Sequence, residues 1–243
     1  MENRNSNYVY ENVIQINEAD SSKKFIANVF AWMFVALGIS AFCSYIFATD
    51  ATLLSTLYDL ETGRSTGLGT IAMFAPLAFV LLISFGFNRL SYGVLLLAFI
   101  AFAIVMGISL SYILLLYTTG SVISVFVTAS LLFGVMAVAG YTTQQDLTKF
   151  GAIMTMLLVG IIIASLVNMF LGSTGLNMII SYVGVAVFVG LTAYDVQKLK
   201  RIGAGLEYGD ASAKKMAVMG ALTLYLDFIN LFLMLLRVFG NRK

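Results

Sequence analysis

The fold is decided by MAVMGALTLYLDFINLFLMLLRVF, the apolar run at residues 216–239. A helix needs about 20 apolar residues to cross the hydrocarbon core of a bilayer, so this run is long enough to span it. Its charged residues are Arg237, near the end, and Asp227, near the middle. A carboxylate at the centre of a membrane costs about 2.5–3.5 kcal/mol on insertion scales. We therefore expect Asp227 to face the interior of a helical bundle.

Six further apolar runs precede this one, at about residues 25–49, 68–87, 90–117, 121–141, 151–172 and 176–199. Hydrophobic residues make up 60% of the chain and charged residues 11%. A soluble domain has about 45–50% apolar and about 25% charged residues. None of the runs alternates as a membrane strand does. The sequence predicts an all-α membrane protein: a single transmembrane helical domain of seven helices over residues 25–243, after a polar cytoplasmic tail over residues 1–24.

The composition excludes several kinds of site. The chain has no histidine and a single cysteine, Cys43. A Ser-His-Asp triad, a histidine zinc site and an internal disulfide framework are therefore excluded. A net charge of +2 is too small to indicate binding of nucleic acid. We expect no cofactor, no enzymatic activity and no nucleic-acid partner.

The orientation follows from the basic residues, which are enriched on the cytoplasmic side of membrane proteins. With seven spans, one side holds ten of them: Arg4, Lys23, Lys24, Arg89, Lys149, Lys198, Lys200, Arg201, Lys214 and Lys215. The other side holds four: Arg64, Arg237, Arg242 and Lys243. This predicts a cytoplasmic N-terminus and a C-terminus outside. The basic C-terminal residues oppose that orientation and leave open a model with six spans and a re-entrant last segment.

A second carboxylate, Asp195, lies near the cytoplasmic end of the sixth run. Charged residues within spans usually mark ion paths or proton relays, and we assign that role to Asp195 and Asp227. Small or polar residues recur with them at helical spacing. The supporting polar residues are Thr192, Thr223, Asn230 and, on the fifth run, Asn168. For these four, ordinary helix packing is the alternative interpretation.

Three charged residues lie in the connections between the predicted spans. Arg89 lies between the second and third spans, where it is either an ordinary snorkelling residue or a latch that pairs with Asp195 at a similar depth. Asp146 and Lys149 lie between the fourth and fifth spans. Taken alone, they indicate a solvated helix cap and loop.

Four stretches of the sequence resemble the Bax inhibitor-1 family, also called the transmembrane Bax inhibitor motif family, in its bacterial form. The most characteristic is LYLDFINLF at residues 224–232, followed by LLR at 235–237. The stretch AYDVQK at 193–198 is similar to the family's Tyr-Asp-Thr-Gln motif, with Val196 in place of threonine. The stretches DLTKFG at 146–151 and GISLS at 107–111 complete the resemblance, which covers about residues 24–240.

The resemblance implies a seven-helix bundle whose last helix is enclosed by the others, and a pH-sensitive calcium leak across the membrane. It implies that Asp195 and Asp227 are paired sensor aspartates and that Arg89 is a latch on one of them. Two carboxylates about 4 Å apart repel by about 4 kcal/mol at an effective dielectric constant near 20, so such a pair would share one proton. Their oxygens suit calcium, which we expect as a weakly bound, transported ion and not as a cofactor.

Two other functions compete with this one. An intramembrane aspartyl protease would also use two aspartates, but it needs Gly-x-Gly-Asp where this chain has Leu224-Tyr225-Leu226-Asp227. The second alternative is a non-conducting regulator that binds a membrane protein partner, such as a membrane protease or a cell-death factor. We expect an integral multi-pass protein of the plasma membrane, with the endoplasmic reticulum membrane as the alternative and the lipid bilayer and calcium ions as partners.

Overall fold

A computed structural model describes residues 5–59, 62, 64–206 and 210–243, with side chains from Asp20 onward. Its helices are α1 (Asn5–Thr49), α2 (Ala51–Leu57), α3 (Gly67–Gly86), α4 (Tyr92–Leu116), α5 (Thr119–Thr142), α6 (Thr148–Leu171), α7 (Thr174–Ala204) and α8 (Ala211–Phe239). Seven of them are long and apolar enough to cross a membrane, and the short α2 lies in the first connection. The predicted all-α membrane bundle is confirmed.

Capping residues explain where the helices begin and end. Ser91, Ser173 and Asp210 each stand just before a helix, and their side chains accept hydrogen bonds from backbone amides of its first turn. The cap at Ser91 makes α4 shorter than the predicted run of 90–117. Gly172 ends α6 in the left-handed conformation, with φ of 63°, which glycine adopts without steric cost.

The polar N-terminal segment is part of the first helix. We predicted a polar cytoplasmic tail over residues 1–24, and α1 is continuous from Asn5 to Thr49, so this segment is helical from Asn5 onward. Its cytoplasmic location stays a prediction. The segment 5–24 contains no proline or glycine that would interrupt a helix. Residues 1–4, which include Arg4, lie outside the described part of the chain.

The last helix lies at the centre of the bundle. α8 packs against α1, α4, α5 and α7, and most of its side chains are buried. α3 packs mainly on α4, and α6 packs on α7. Both expose many apolar side chains, among them Phe85 and Phe170. Such exposure suits helices that face lipid, so the prediction of an enclosed last helix is confirmed.

The C-terminus fixes the course of α8. We call the end of the bundle at which α3, α5 and α7 finish the inner end, and the end at which α1, α4 and α6 finish the outer end. The amide of Thr118 donates to the carbonyl of Asn241 at 3.0 Å, and the amide of Lys243 donates to the carbonyl of Leu116 at 3.0 Å. α8 therefore runs from the inner to the outer end as one continuous helix. A re-entrant last segment does not fit this geometry.

Candidate functional site

The centre of the site is a pair of carboxyl groups from α7 and α8. Asp195 is half-buried, and Asp227 is 6% exposed. The two side chains lie close enough to share a hydrogen bond. α7 and α8 pack together over much of their length, and Gly184 on α7 leaves room for the side chain of Met234 on α8. The structure thus brings together two residues that are far apart in the sequence.

A hydrogen bond between the two carboxyl groups requires a proton on one of them. No donor in the described part of the chain reaches Oδ2 of Asp227. Two ionised carboxylates can only accept hydrogen bonds, so a hydrogen bond between Asp195 and Asp227 needs a proton on one of them. Lys198, one turn beyond Asp195 on α7, supplies the positive charge that acts on Asp195. Its Nζ also lies 6.0 Å from the centre of the Tyr194 ring.

The predicted supporting residues bond mainly to their own helices. The Oγ1 of Thr192 donates to the carbonyl of Phe188 at 2.8 Å. The side chains of Thr223 and Asn230 donate to the carbonyls of Met219 and Leu226, at 3.1 and 2.8 Å. These three residues share helix faces with the carboxylates but give their donors to the backbone. Asn168 lies at the outer end of the bundle, where its Oδ1 accepts a hydrogen bond from the amide of Ser173 at 3.1 Å.

Arg89 lies in the short connection between α3 and α4 at the inner end, and it is exposed. Among the side chains that the structure describes, none forms an ion pair with it. The latch between Arg89 and Asp195 stays a prediction, because in this conformation the two residues are not paired.

The connection between α5 and α6 is fastened to α7 near the carboxyl pair. The buried side chain of Gln197 accepts a hydrogen bond from the amide of Leu147 at 2.9 Å and donates to the carbonyl of Gln145 at 2.7 Å. Arg201 forms an ion pair with Asp146 at 2.8 Å. Lys149 is exposed at the start of α6. Two stretches singled out in the sequence, 146–151 and 193–198, therefore contact each other.

Comparison with known proteins identifies the family of this chain. The sequence model of the family described as "Inhibitor of apoptosis-promoting Bax1" matches residues 22–243. The chain belongs to the Bax inhibitor-1 family. It is 46% identical over 220 residues to the inner membrane protein YbhL of Escherichia coli strain K12. These residues cover 90% of this chain and 92% of YbhL.

Further bacterial proteins are similar over nearly their whole length. A protein of Borreliella burgdorferi is 42% identical over 222 residues, which cover 90% of this chain and 93% of that protein. A protein of Rickettsia prowazekii is 40% identical over 221 residues, which cover 91% of each chain. This Bax inhibitor-1 family chain is an integral multi-pass membrane protein, as expected.

A buried hydroxyl network, which was not predicted from the sequence, anchors α8 in this Bax inhibitor-1 family member. The hydroxyl groups of Tyr225 and Ser40 lie 2.7 Å apart, and Ser40 donates to the carbonyl of Ala103 at 2.6 Å. The rings of Phe99 and Phe102 stand edge-on to Tyr225, at centroid distances of 6.5 and 5.2 Å. The network joins α1, α4 and α8 two residues before Asp227. Isolated hydroxyls within apolar runs were the available signal.

Gln197 was also missed as a site residue, although it lies in a quoted motif. Its signal was a polar amide close to Asp195 at the end of an apolar run. Because the amide both donates and accepts, it can bind two backbone groups of one loop at once. Gln197 thereby couples the position of the 143–147 connection to the helix that carries Asp195.

Asp146 is expected to be a fixed charge and not a proton sensor. Hydrogen bonds from the side chain and amide of Thr148, together with the hydrogen bond from Arg201, lower the pKa of Asp146 from 3.8 to about 2. Because the pKa of Asp146 is lower in the folded state, its ionised carboxylate stabilises the fold. This contribution is fully present above the unfolded-state pKa near 3.8 and is lost as the pH falls through about 2. We expect Asp146→Asn to leave the pH profile of any transport activity unchanged between about pH 5 and 8. A profile measured on the purified variant that shifts within that range would contradict this assignment.

Proposed function

We propose that this Bax inhibitor-1 family member is a pH-sensitive calcium leak in which Asp195 and Asp227 form the proton sensor and the weak cation site. The contact between two carboxyl groups inside an apolar bundle carries the proposal. Removing one proton would leave two negative charges next to each other, which favours either separation of the helices or entry of a cation. Calcium prefers oxygen ligands, and two carboxylates alone would bind it weakly enough for it to leave again.

Calcium uptake into liposomes that contain only the purified protein tests this proposal. We expect a flux whose rate depends on pH across the mildly acidic to neutral range. Protein-free liposomes and liposomes with heat-inactivated protein provide the background. A correctly folded protein without flux above background would favour the non-conducting regulator, whose activity requires a partner. In either case we propose no enzymatic activity and no bound cofactor.

We further propose that Arg89 restrains the site by pairing with Asp195 in a closed conformation. Both residues lie towards the inner end of the bundle, where Arg89 is exposed and Asp195 is half-buried. We expect Arg89→Ala to raise the resting calcium flux at neutral pH several-fold, because the restraining ion pair is lost. Lys214→Ala removes another exposed charge at the same end and serves as the control. Equal fluxes in Arg89→Ala, Lys214→Ala and the parent would show that Arg89 is an ordinary snorkelling residue and not a latch.

For location, we propose the bacterial plasma membrane with the N-terminus in the cytoplasm. YbhL, the relative from Escherichia coli, is an inner membrane protein. The excess of basic residues at the inner end supports the orientation. We expect a cysteine introduced at Lys243, with Cys43 replaced by serine, to react with a membrane-impermeant reagent added outside intact spheroplasts. Labelling of Lys243→Cys only after the membrane is permeabilised would show that the C-terminus is cytoplasmic and that the proposed orientation is wrong.

A further inference from the structure

A cleft of about 300 Å³ lies between α1 and α5 near the inner end of the bundle. Both helices pack on α7 but hardly touch each other, so α7 forms the floor of the cleft. Ala27 and Val138 are exposed at its edges, and both helices are candidate membrane spans. The cleft therefore opens to the side, towards lipid. Its apolar lining consists of Ile26, Ala27, Phe30, Ala137, Val138 and Val196.

The mouth of the cleft carries two lysines at one level. Lys23 and Tyr141 line the cleft directly. The neighbouring hydroxyl of Ser22 donates to the carbonyl of Lys200 at 2.9 Å, which places Lys200 beside this turn of α1. The Nζ of Lys200 in turn donates to the carbonyl of Tyr141 at 2.8 Å and lies 4.8 Å from the centre of the Tyr141 ring. Hydrogen bonds thus hold a cation against the inner end of α5.

These two ammonium groups have donors to spare. Among the side chains that the structure describes, no carboxylate pairs with Lys23 or Lys200, and the nearby acids Asp20 and Asp146 pair with Lys24 and Arg201. A lysine ammonium has three donors, and Lys200 gives one to Tyr141. A ligand that accepts hydrogen bonds and carries negative charge would complement these two groups.

We propose that the cleft binds an anionic phospholipid of the cytoplasmic leaflet, with its phosphate at Lys23 and Lys200 and an acyl chain along the apolar walls. Basic pockets between membrane helices on the cytoplasmic side suit lipid phosphates, and a tyrosine at this level is typical of the membrane interface. A soluble anion would satisfy the lysines but not the apolar walls. The assignment of the leaflet rests on the proposed orientation, whereas lipid binding is independent of calcium conduction.

Native mass spectrometry of the full chain in neutral detergent tests this site. The protein is given equal amounts of phosphatidylglycerol and phosphatidylcholine with the same acyl chains. We expect the parent to retain phosphatidylglycerol several-fold more than phosphatidylcholine. The double variant Lys23→Gln/Lys200→Gln is expected to retain both lipids equally, because the two charges that distinguish them are gone.

Two further variants separate the site from general charge effects and from misfolding. Lys214→Gln/Lys215→Gln removes two charges from α8 at the same end, away from the cleft, and is expected to keep the preference. Ala27→Trp fills the cleft and keeps both lysines, and it is expected to lower retention of phosphatidylglycerol several-fold. The proposal is overturned if Ala27→Trp or the Lys23/Lys200 double variant binds like the parent. It is equally overturned if the α8 control loses the preference to the same extent.

Discussion

Asp195→Asn and Asp227→Asn are each expected to abolish the pH dependence of calcium flux. Each substitution removes one ionisable group at nearly constant volume, and a shared proton needs both carboxyls. The ratio of the fluxes at mildly acidic and mildly alkaline pH is expected to fall to roughly one in either variant. Because the two residues act as one unit, the double variant is expected to add little to either single change.

The fold is expected to survive these substitutions. An asparagine amide can donate a hydrogen bond to the remaining carboxylate, so the contact between α7 and α8 keeps a donor and an acceptor. A pair that shares one proton and an asparagine–carboxylate pair both carry one negative charge, so the substitution adds no desolvation cost. Thermal unfolding of each purified variant in detergent checks this expectation before any flux is interpreted.

A matched control comes from the same substitution at an exposed aspartate. Asp50 caps α2 at the outer end by accepting hydrogen bonds from the amides of Thr52 and Leu53. Asparagine caps helices as well as aspartate does, so Asp50→Asn is expected to keep both the fold and the pH profile. The shared-proton sensor is wrong if Asp195→Asn and Asp227→Asn fold, conduct and keep the profile of Asp50→Asn.

The sequence predicted the spans well, because hydropathy and capping residues set the ends of a membrane helix. The predicted run of 216–239 and α8 end at the same residue, Phe239, and the first run and α1 both end at Thr49. The high cost of a buried charge was the signal that selected Asp195 and Asp227, whose role as a proton sensor stays a prediction. These features depend on local composition, which one sequence contains in full.

The packing of the helices against one another could not be predicted from local composition. In a soluble protein the apolar stripe of a helix shows which face is buried, but lipid is as apolar as a protein core. α4 is apolar all round over residues 94–106, so nothing in this stretch distinguishes Phe99, which packs near Tyr225, from Leu97, which is exposed. The same ambiguity hid the cleft between α1 and α5. It also left the hydrogen bonds of Gln197 unassigned, because they depend on a loop from another part of the chain.

The close contact between α5 and α7 makes Gly140 a position where one added methyl group is expected to lower the stability of the fold. A Cβ at Gly140 would meet the backbone of Ala193, at 2.8 Å from its Cα and carbonyl carbon and closer still to its carbonyl oxygen. A backbone wall cannot rotate away as a side chain can. The helices must separate, and overpacking of this kind costs about 1–3 kcal/mol.

Gly134, on the same helix, isolates this steric effect. A Cβ there would meet no other atom within 4 Å. Replacing glycine by alanine inside a helix otherwise stabilises it by roughly 0.5–1 kcal/mol. We therefore expect Gly134→Ala to unfold at the parent's temperature or slightly above it, and Gly140→Ala to unfold several degrees lower, since 1 kcal/mol shifts the Tm by about 2–4 °C in a protein of this size.

The displacement at Gly140 is expected to reach the candidate site as well. Ala193, which the new methyl group would push, lies two residues before Asp195 on α7. Moving this turn of α7 changes the distance between Asp195 and Asp227, so Gly140→Ala is expected to shift the pH profile of calcium flux, whereas Gly134→Ala is not. If Gly140→Ala matches Gly134→Ala in both Tm and pH profile, then α5 and α7 do not make the close contact that positions Asp195.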